Sequence, residues 1–271
     1  MSRKEPPITE RINKEQAVVY DRWHETEAGT FALAQEKRLL QHFMAPWIRR
    51  QQKLLEVGCG PGRFLQFFWE SGFDVSGLDA SPAMLELARE RLGNRAELHL
   101  GQAEHLPFRD KEFDVVALLT LLEFCPDPEP VLQEALRVAR KAVLVTFLNK
   151  HSLYALARRS GLRRKKNGFL RNVRWFSWWE IRSLLQEQAG PRPMIAQSVL
   201  IGPQRTWSAK SCWRKLNCRL WPPFVGAYAG VRCDLVGDAP LTPIMAWKEK
   251  AKLRPMEQPA SSGANRNKEN G

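Results

Sequence analysis

One stretch narrows the possible folds more than any other: Lys53–Pro82, KLLEVGCGPGRFLQFFWESGFDVSGLDASP. A short apolar run, Lys53–Gly58, closes on glycine, a helix-patterned run follows at Phe64–Glu70, and a second apolar run, Phe73–Asp79, ends on an acid. That order reads as strand, loop, helix, strand. Ser81-Pro82 then supplies a cap and a first-turn proline for a helix over AMLELARERL.

The alternation continues. Ala96–Gly101, Phe113–Thr120 and Lys141–Leu148 read as strands, and Glu129–Arg140 as the helix between the last two. The second and third of these strands are nearly unbroken apolar runs, the pattern of strands covered on both faces. Strands alternating with helices predict an α/β, doubly wound, mostly parallel sheet whose ligands sit beyond the carboxyl ends of the strands, where the glycine loop lies. Upstream, an aromatic segment at Tyr20 and Trp23 precedes a helix over Phe31–Ile48; downstream, Ser177 and Gly190 bracket another helix. PMIAQSVLIG and VGAYAGVRCDLV are two more strands that could complete the sheet, and from about Lys248 the polar composition predicts a disordered tail. The expected organisation is a helical cover over 1–50, a ligand-binding core over 51–150, a substrate-side insertion and sheet completion over 151–247, and a tail over 248–271.

With 44% hydrophobic and 26% charged residues, the chain can bury a sizeable core. Its formal charge of +13 favours an anionic partner without choosing among nucleic acid, membrane and small molecule. The cysteines, Cys59, Cys125, Cys212, Cys218 and Cys233, form no C-x-x-C pair, which fits reduced thiols and no metal. No run reaches the roughly 18 apolar residues that span a bilayer, and the N-terminus has no signal-peptide pattern, so the expected location is the cytoplasm.

The loop itself discriminates between ligands. A dinucleotide fold wants G-x-G-x-x-G, but Arg63 stands where the third glycine belongs, and a phosphate-cradling G-K-[ST] ending is also missing. The spacing is instead E-x-G-x-G-x-G from Glu56 to Gly62, with an acid at the mouth suited to a cationic ligand. LLEVGCGPGRF resembles the first motif of the class I S-adenosylmethionine-dependent methyltransferases. VSGLDASPAMLELARERL, GQAEHLPFRDKEFDVV and LLEFCPDPEPVLQEALRVAR are similar to that family's next three segments, in order, over about Lys53–Leu148. The resemblance implies a Rossmann-like, seven-stranded sheet with helices on both faces and a helical insertion after the fifth strand. It also implies S-adenosylmethionine as cofactor.

Carried over residue by residue, the resemblance assigns cofactor binding to Glu56, Gly58, Cys59, Gly60 and Gly62 of the loop. Asp79 takes the ribose hydroxyls, Ala80 and Met84 flank the adenine, Gln102, Ala103 and Glu104 border its other edge, and Thr120 and Leu121 face the methionine end. Gln102 departs from the acid often found there, although its carbonyl can still accept a hydrogen bond. Asp79 serves equally as a helix-capping acid, and Met84 as a core methionine on an amphipathic helix.

Methyl transfer needs an acceptor placed in line, exclusion of water and, for a protonated nucleophile, a base. His151, just past the fifth strand, is the best placed of the candidate bases His24, His105 and His151. Tyr20 and Trp23 resemble a segment that closes over the methionine end in some small-molecule methyltransferases. Residues 158–182 carry nine Lys or Arg against one Glu, interleaved with Phe169, Trp175, Phe176, Trp178 and Trp179. That stretch suits an anionic membrane, an RNA backbone or a plain solvated face. The motif that holds a planar amino group is absent from TLLEFCPDP, which favours a small-molecule or lipid-like, quinone-like acceptor over tRNA or rRNA; a non-catalytic scaffold is the other alternative.

Overall fold

The computed structural model describes residues 14–159 and 173–236; the expected tail, the start of the N-terminal cover and the middle of the basic stretch lie outside the described residues. Seven strands form one sheet: β1 (Lys53–Val57), β2 (Asp74–Asp79), β3 (Ala96–Leu100), β4 (Phe113–Leu119), β5 (Ala139–Leu148), β6 (Met194–Val199) and β7 (Tyr228–Asp234). Their order is β3-β2-β1-β4-β5-β7-β6. The first five run parallel, while β7 runs antiparallel to both β5 and β6. Winding reverses between β1 and β4, the crevice where open α/β sheets place their ligands. Because Tyr228 pairs with Leu148, the start of β7 also lies at that edge.

Neighbouring residues on one strand serve opposite faces, as the two-residue strand period requires. Leu54, Val115 and Ala117 join Phe43, Leu65 and Phe68 on one side. Leu55, Val116 and Leu118 join Leu132, Ile181 and Leu185 on the other. All seven residues of β4 are buried, at about 1.5–3 kcal/mol for each fully buried Val or Leu side chain, so β4 anchors both layers.

The helices are α1 (Lys14–Trp23), α2 (Glu27–Met44), α3 (Arg63–Glu70), α4 (Pro82–Leu92), α5 (Pro128–Val138), α6 (Leu153–Arg159), α7 (Trp178–Ala189) and α8 (Arg214–Asn217). The caps are those the residues predict: Ser81 Oγ accepts from Met84 N–H, and Ser177 and Glu180 form a reciprocal capping box. Several boundaries differ from expectation: α2 ends at Met44 and not Ile48, α5 ends at Val138 and not Arg140, and β5 begins at Ala139 and not Lys141. Helix α2 begins four residues earlier than Phe31 because Thr26 Oγ1 accepts from Gly29 N–H at 3.1 Å and starts it there. The aromatic segment at Tyr20 and Trp23 is itself helical, although only Ala17 of α1 is fully buried.

Among the described residues, no helix is long and apolar enough to cross a membrane, and no group of His, Cys, Asp and Glu could hold a metal ion.

Candidate functional site

The site grows from the turn after β1. Gly58 and Cys59 donate their N–H groups to Leu78 O at 2.7 and 3.1 Å, and Gly60 N–H donates to Asp79 Oδ2 at 2.8 Å, drawing the loop onto the tip of β2. Asp79 Oδ1 accepts from Ser81 N–H at 2.8 Å. Burial raises the Asp79 carboxyl above its ordinary range, against three backbone N–H bonds that pull it down.

Gly58 and Gly60 sit at φ 72° and 51°, where a Cβ is strained. A Cβ on Gly58 would lie 2.6 Å from Leu121 Cδ1, whereas one on Gly60 would meet nothing within 4 Å and would project into open space. Gly62 has a different neighbour: its Cβ would strike Leu92 and Ala88, so it seats α4. Cys59 is buried in the core beneath the loop, where burial pushes its thiol well up, and it lines no part of the adjoining cleft.

These elements open a cleft lined by Gly58, Asp79, Ala80, Gln102, Ala103, Glu104 and Leu121 and by four residues the sequence reading did not assign to it. Leu78, Gly101, Phe124 and Cys125 complete the lining; their signal was only adjacency to the named positions. Met84 is buried on α4 beside the cleft and does not line it. Thr120 sits at φ 48°, its N–H donating to Thr146 O and Oγ1, a strained residue at the mouth of β4.

Glu56 is buried to 2% exposure and leaves Oε2 without a hydrogen-bond partner among the described residues. The loop is held by Leu78 O and Asp79. Burial first, then the Asp79 charge, pushes the Glu56 carboxyl well up.

Over this edge lies α1. Asp21 takes Arg63 Nε at 2.5 Å and Arg91 NH2 at 2.7 Å, while Arg91 also donates to Pro61 O, which clamps α1 to the glycine loop. Arg63, the residue that breaks the dinucleotide pattern, is half of that clamp. The Tyr20 phenol is raised by burial first and then by the Glu36, Asp79, Glu56 and Glu123 carboxyls. Trp23 packs edge-on against His24, whose pKa burial and then Arg63 lower to about 4.

His151 is solvent-exposed, its ring 6.1 Å from that of Trp179, and it lines no part of the cleft. Of the basic stretch, residues 160–172 lie outside the described residues. Phe176 is fully buried, Trp175 packs against Tyr154, and Trp179 is 57% exposed.

A family model described as a methyltransferase domain matches residues 55–147. A phosphatidylethanolamine N-methyltransferase of Cereibacter sphaeroides is 33% identical over 137 residues, which are 48% of this chain and 65% of that protein. A malonyl-[acyl-carrier protein] O-methyltransferase of Serratia marcescens is 34% identical over 96 residues, 35% of this chain and 37% of that protein. The chain thus spans less than two thirds of the length of either relative. A solved S-adenosylmethionine-dependent methyltransferase from Thermotoga maritima superposes with a TM-score of 0.66 over 82% of this chain and 98% of that one, at 23% identity, a likeness of fold.

Proposed function

Because the chain belongs, through residues 55–147, to the class I S-adenosylmethionine-dependent methyltransferases, we propose that it transfers a methyl group to a small-molecule or lipid-like acceptor. The observation that carries this reading is the buried Asp79 carboxylate at the tip of β2, joined to a glycine loop that opens on a cleft lined by Gly58, Asp79, Ala80 and Gln102. The residues present fit the cofactor. Asp79, with three of its roughly four acceptor sites taken by backbone N–H groups, keeps one for a ribose hydroxyl, Ala80, Gln102, Ala103 and Glu104 border the adenine, and the unpartnered Glu56 oxygen matches an ammonium group.

Bound S-adenosylmethionine supplies a methyl group already activated on a sulfonium. The chain's own residues have the remaining tasks. Gly58 and Gly60 let the backbone approach the methionine part, Leu121 closes its side, and Tyr20 on the clamped α1 excludes water from above. A lipid-like acceptor is supported by the named relatives and by an exposed apolar face in which Trp179 and Phe224 stack at 5.9 Å.

Calorimetry tests the reading. S-adenosylmethionine should bind stoichiometrically, and Asp79→Ala should weaken it about a hundredfold, some 3 kcal/mol, through loss of charge-assisted bonds and of the loop tether. No binding by the parent chain, or equal binding by the variant, would sink the proposal.

A further inference from the structure

Three segments that are distant in sequence meet just past the carboxyl end of β5. Asn149 N–H donates to Ala227 O at 3.0 Å and its side-chain amide to Gly226 O at 3.0 Å, while Lys150 N–H donates to Phe176 O at 2.9 Å. The turn before α6, the approach to α7 and the chain entering β7 are therefore fastened to one another. Rings line the outside of this junction: His151 lies 6.1 Å from Trp179, which stacks on Phe224 at 5.9 Å and 28°.

Apolar side chains continue from that stack on both sides. Helix α6 opens two residues after His151 and exposes Leu153 and Leu156, one turn apart, while Tyr154 and Ala155 are buried. On the β7 side the Trp221 indole donates to Leu216 O at 2.9 Å, which ties exposed Leu216 to the stretch that carries Phe224. Leu156 is 63% exposed and Phe224 45%. Large apolar side chains gathered at one exposed junction, in place of the usual single scatter, mark an interaction surface.

Charge selects the partner. Residues 150–224 carry sixteen Lys or Arg against two acids, Glu180 and Glu187, which leaves 26 of the chain's 42 basic residues against 27 of its 29 acids elsewhere. The positive excess thus belongs to this part of the chain. One of its two acids, Glu180, is already paired with Lys150 at 2.8 Å. Exposed Arg182 stands one turn along α7 from Trp179, exposed Lys215 adjoins Leu216, and Arg219 lies over the Trp221 ring at 5.5 Å. Apolar tips ringed by cations match an anionic bilayer, where aromatic rings sit at headgroup depth and Lys and Arg meet lipid phosphate. RNA would engage the cations and stack on Trp179, yet it would leave the leucines in water.

We propose that this junction is a membrane-docking surface: Trp179, Phe224 and the exposed leucines beside them enter the headgroup layer of an anionic bilayer, and the flanking Arg and Lys side chains bind its phosphates. The surface adjoins the ligand edge of the sheet, where β5 ends and β7 begins, so docking sets that edge beside lipid. The inference goes beyond the methyltransferase reading, because docking needs no cofactor.

The test is cosedimentation of the full chain with phosphatidylcholine vesicles, with and without about one third phosphatidylglycerol, together with tryptophan quenching by brominated acyl chains. Anionic vesicles should bind at least about tenfold tighter, lose that margin as salt rises from about 0.1 to about 1 M, and quench the emission. Trp179→Ala with Phe224→Ala should weaken anionic binding about tenfold or more and reduce the quenching. Arg182→Gln with Lys215→Gln should weaken it about tenfold, on anionic vesicles alone. All four side chains are exposed, so melting temperatures should match that of the parent chain. Equal binding to both vesicles, binding without quenching, unchanged binding in either variant, or capture of a tRNA mixture in preference to vesicles overturns the proposal. These outcomes are independent of the calorimetry with S-adenosylmethionine, so the two readings can fail separately.

Discussion

The glycine-loop side of this edge and the helical cover above it are built in opposite ways. The first is one continuous piece of chain: β1, the glycine loop and the tip of β2, within 27 residues from Lys53 to Asp79, tied by backbone N–H groups to Leu78 O and Asp79. The second rests on partners far apart in the chain, Asp21 of α1 reaching Arg63 and Arg91. Local segments can hold a ligand every family member shares. Pieces brought from distant elements can vary one at a time, which is how a scaffold changes acceptor while keeping its donor.

The largest break in this contrast should come from Gly58→Val. A β-branched side chain at φ 72° whose Cβ lies 2.6 Å from Leu121 is strained twice, so S-adenosylhomocysteine affinity should fall about a hundredfold, or about 3 kcal/mol, by calorimetry. Retained affinity would mean that the loop is not the rigid half of the site.

Asp21→Ala should act through the cover instead. Both partners are largely buried, with Arg63 and Arg91 at 19% side-chain exposure and Asp21 at 14%, so freeing two guanidiniums should cost about 1–3 kcal/mol of local stability. Hydrogen exchange should rise about tenfold or more over residues 14–23 and little in β1 or β4. A uniform rise would show that α1 is part of the core and not a separable cover.

The smallest effect is a pH slope. Burial holds Glu36 and Glu123 at about 8 against an ordinary 4.5, so the folded protein binds more protons than the unfolded chain between those values. Stability from such raised groups is present below about pH 4.5 and is lost as pH climbs through about 8, so the melting temperature should fall across that window. Glu36→Gln should flatten the fall and raise the melting temperature at pH 8 by a few degrees, or about 1 kcal/mol. A profile that the substitution does not alter would place Glu36 in water.

How much of this was legible follows from the same contrast. Strand and helix periods, the Ser81-Pro82 and Ser177 caps and the glycine spacing are local, and sequence shows them directly. Helix α1 was not legible because only Ala17 of it is fully buried; it is placed by Asp21 reaching Arg63 and Arg91, partners 42 and 70 residues away. His151 drew attention by its position after β5, yet tertiary packing leaves it exposed against Trp179.

By itself the sequence determined the parallel core, the loop and the acid that follows it, since hydrophobic period and glycine freedom are properties of neighbouring residues. Only the tertiary structure decided that Arg63 clamps a cover helix, and that Glu36, Glu56 and Glu123 are buried. Burial, and with it the raised pKa of Glu36, Glu56 and Glu123, is conferred by whatever packs above a residue, and no local pattern encodes that.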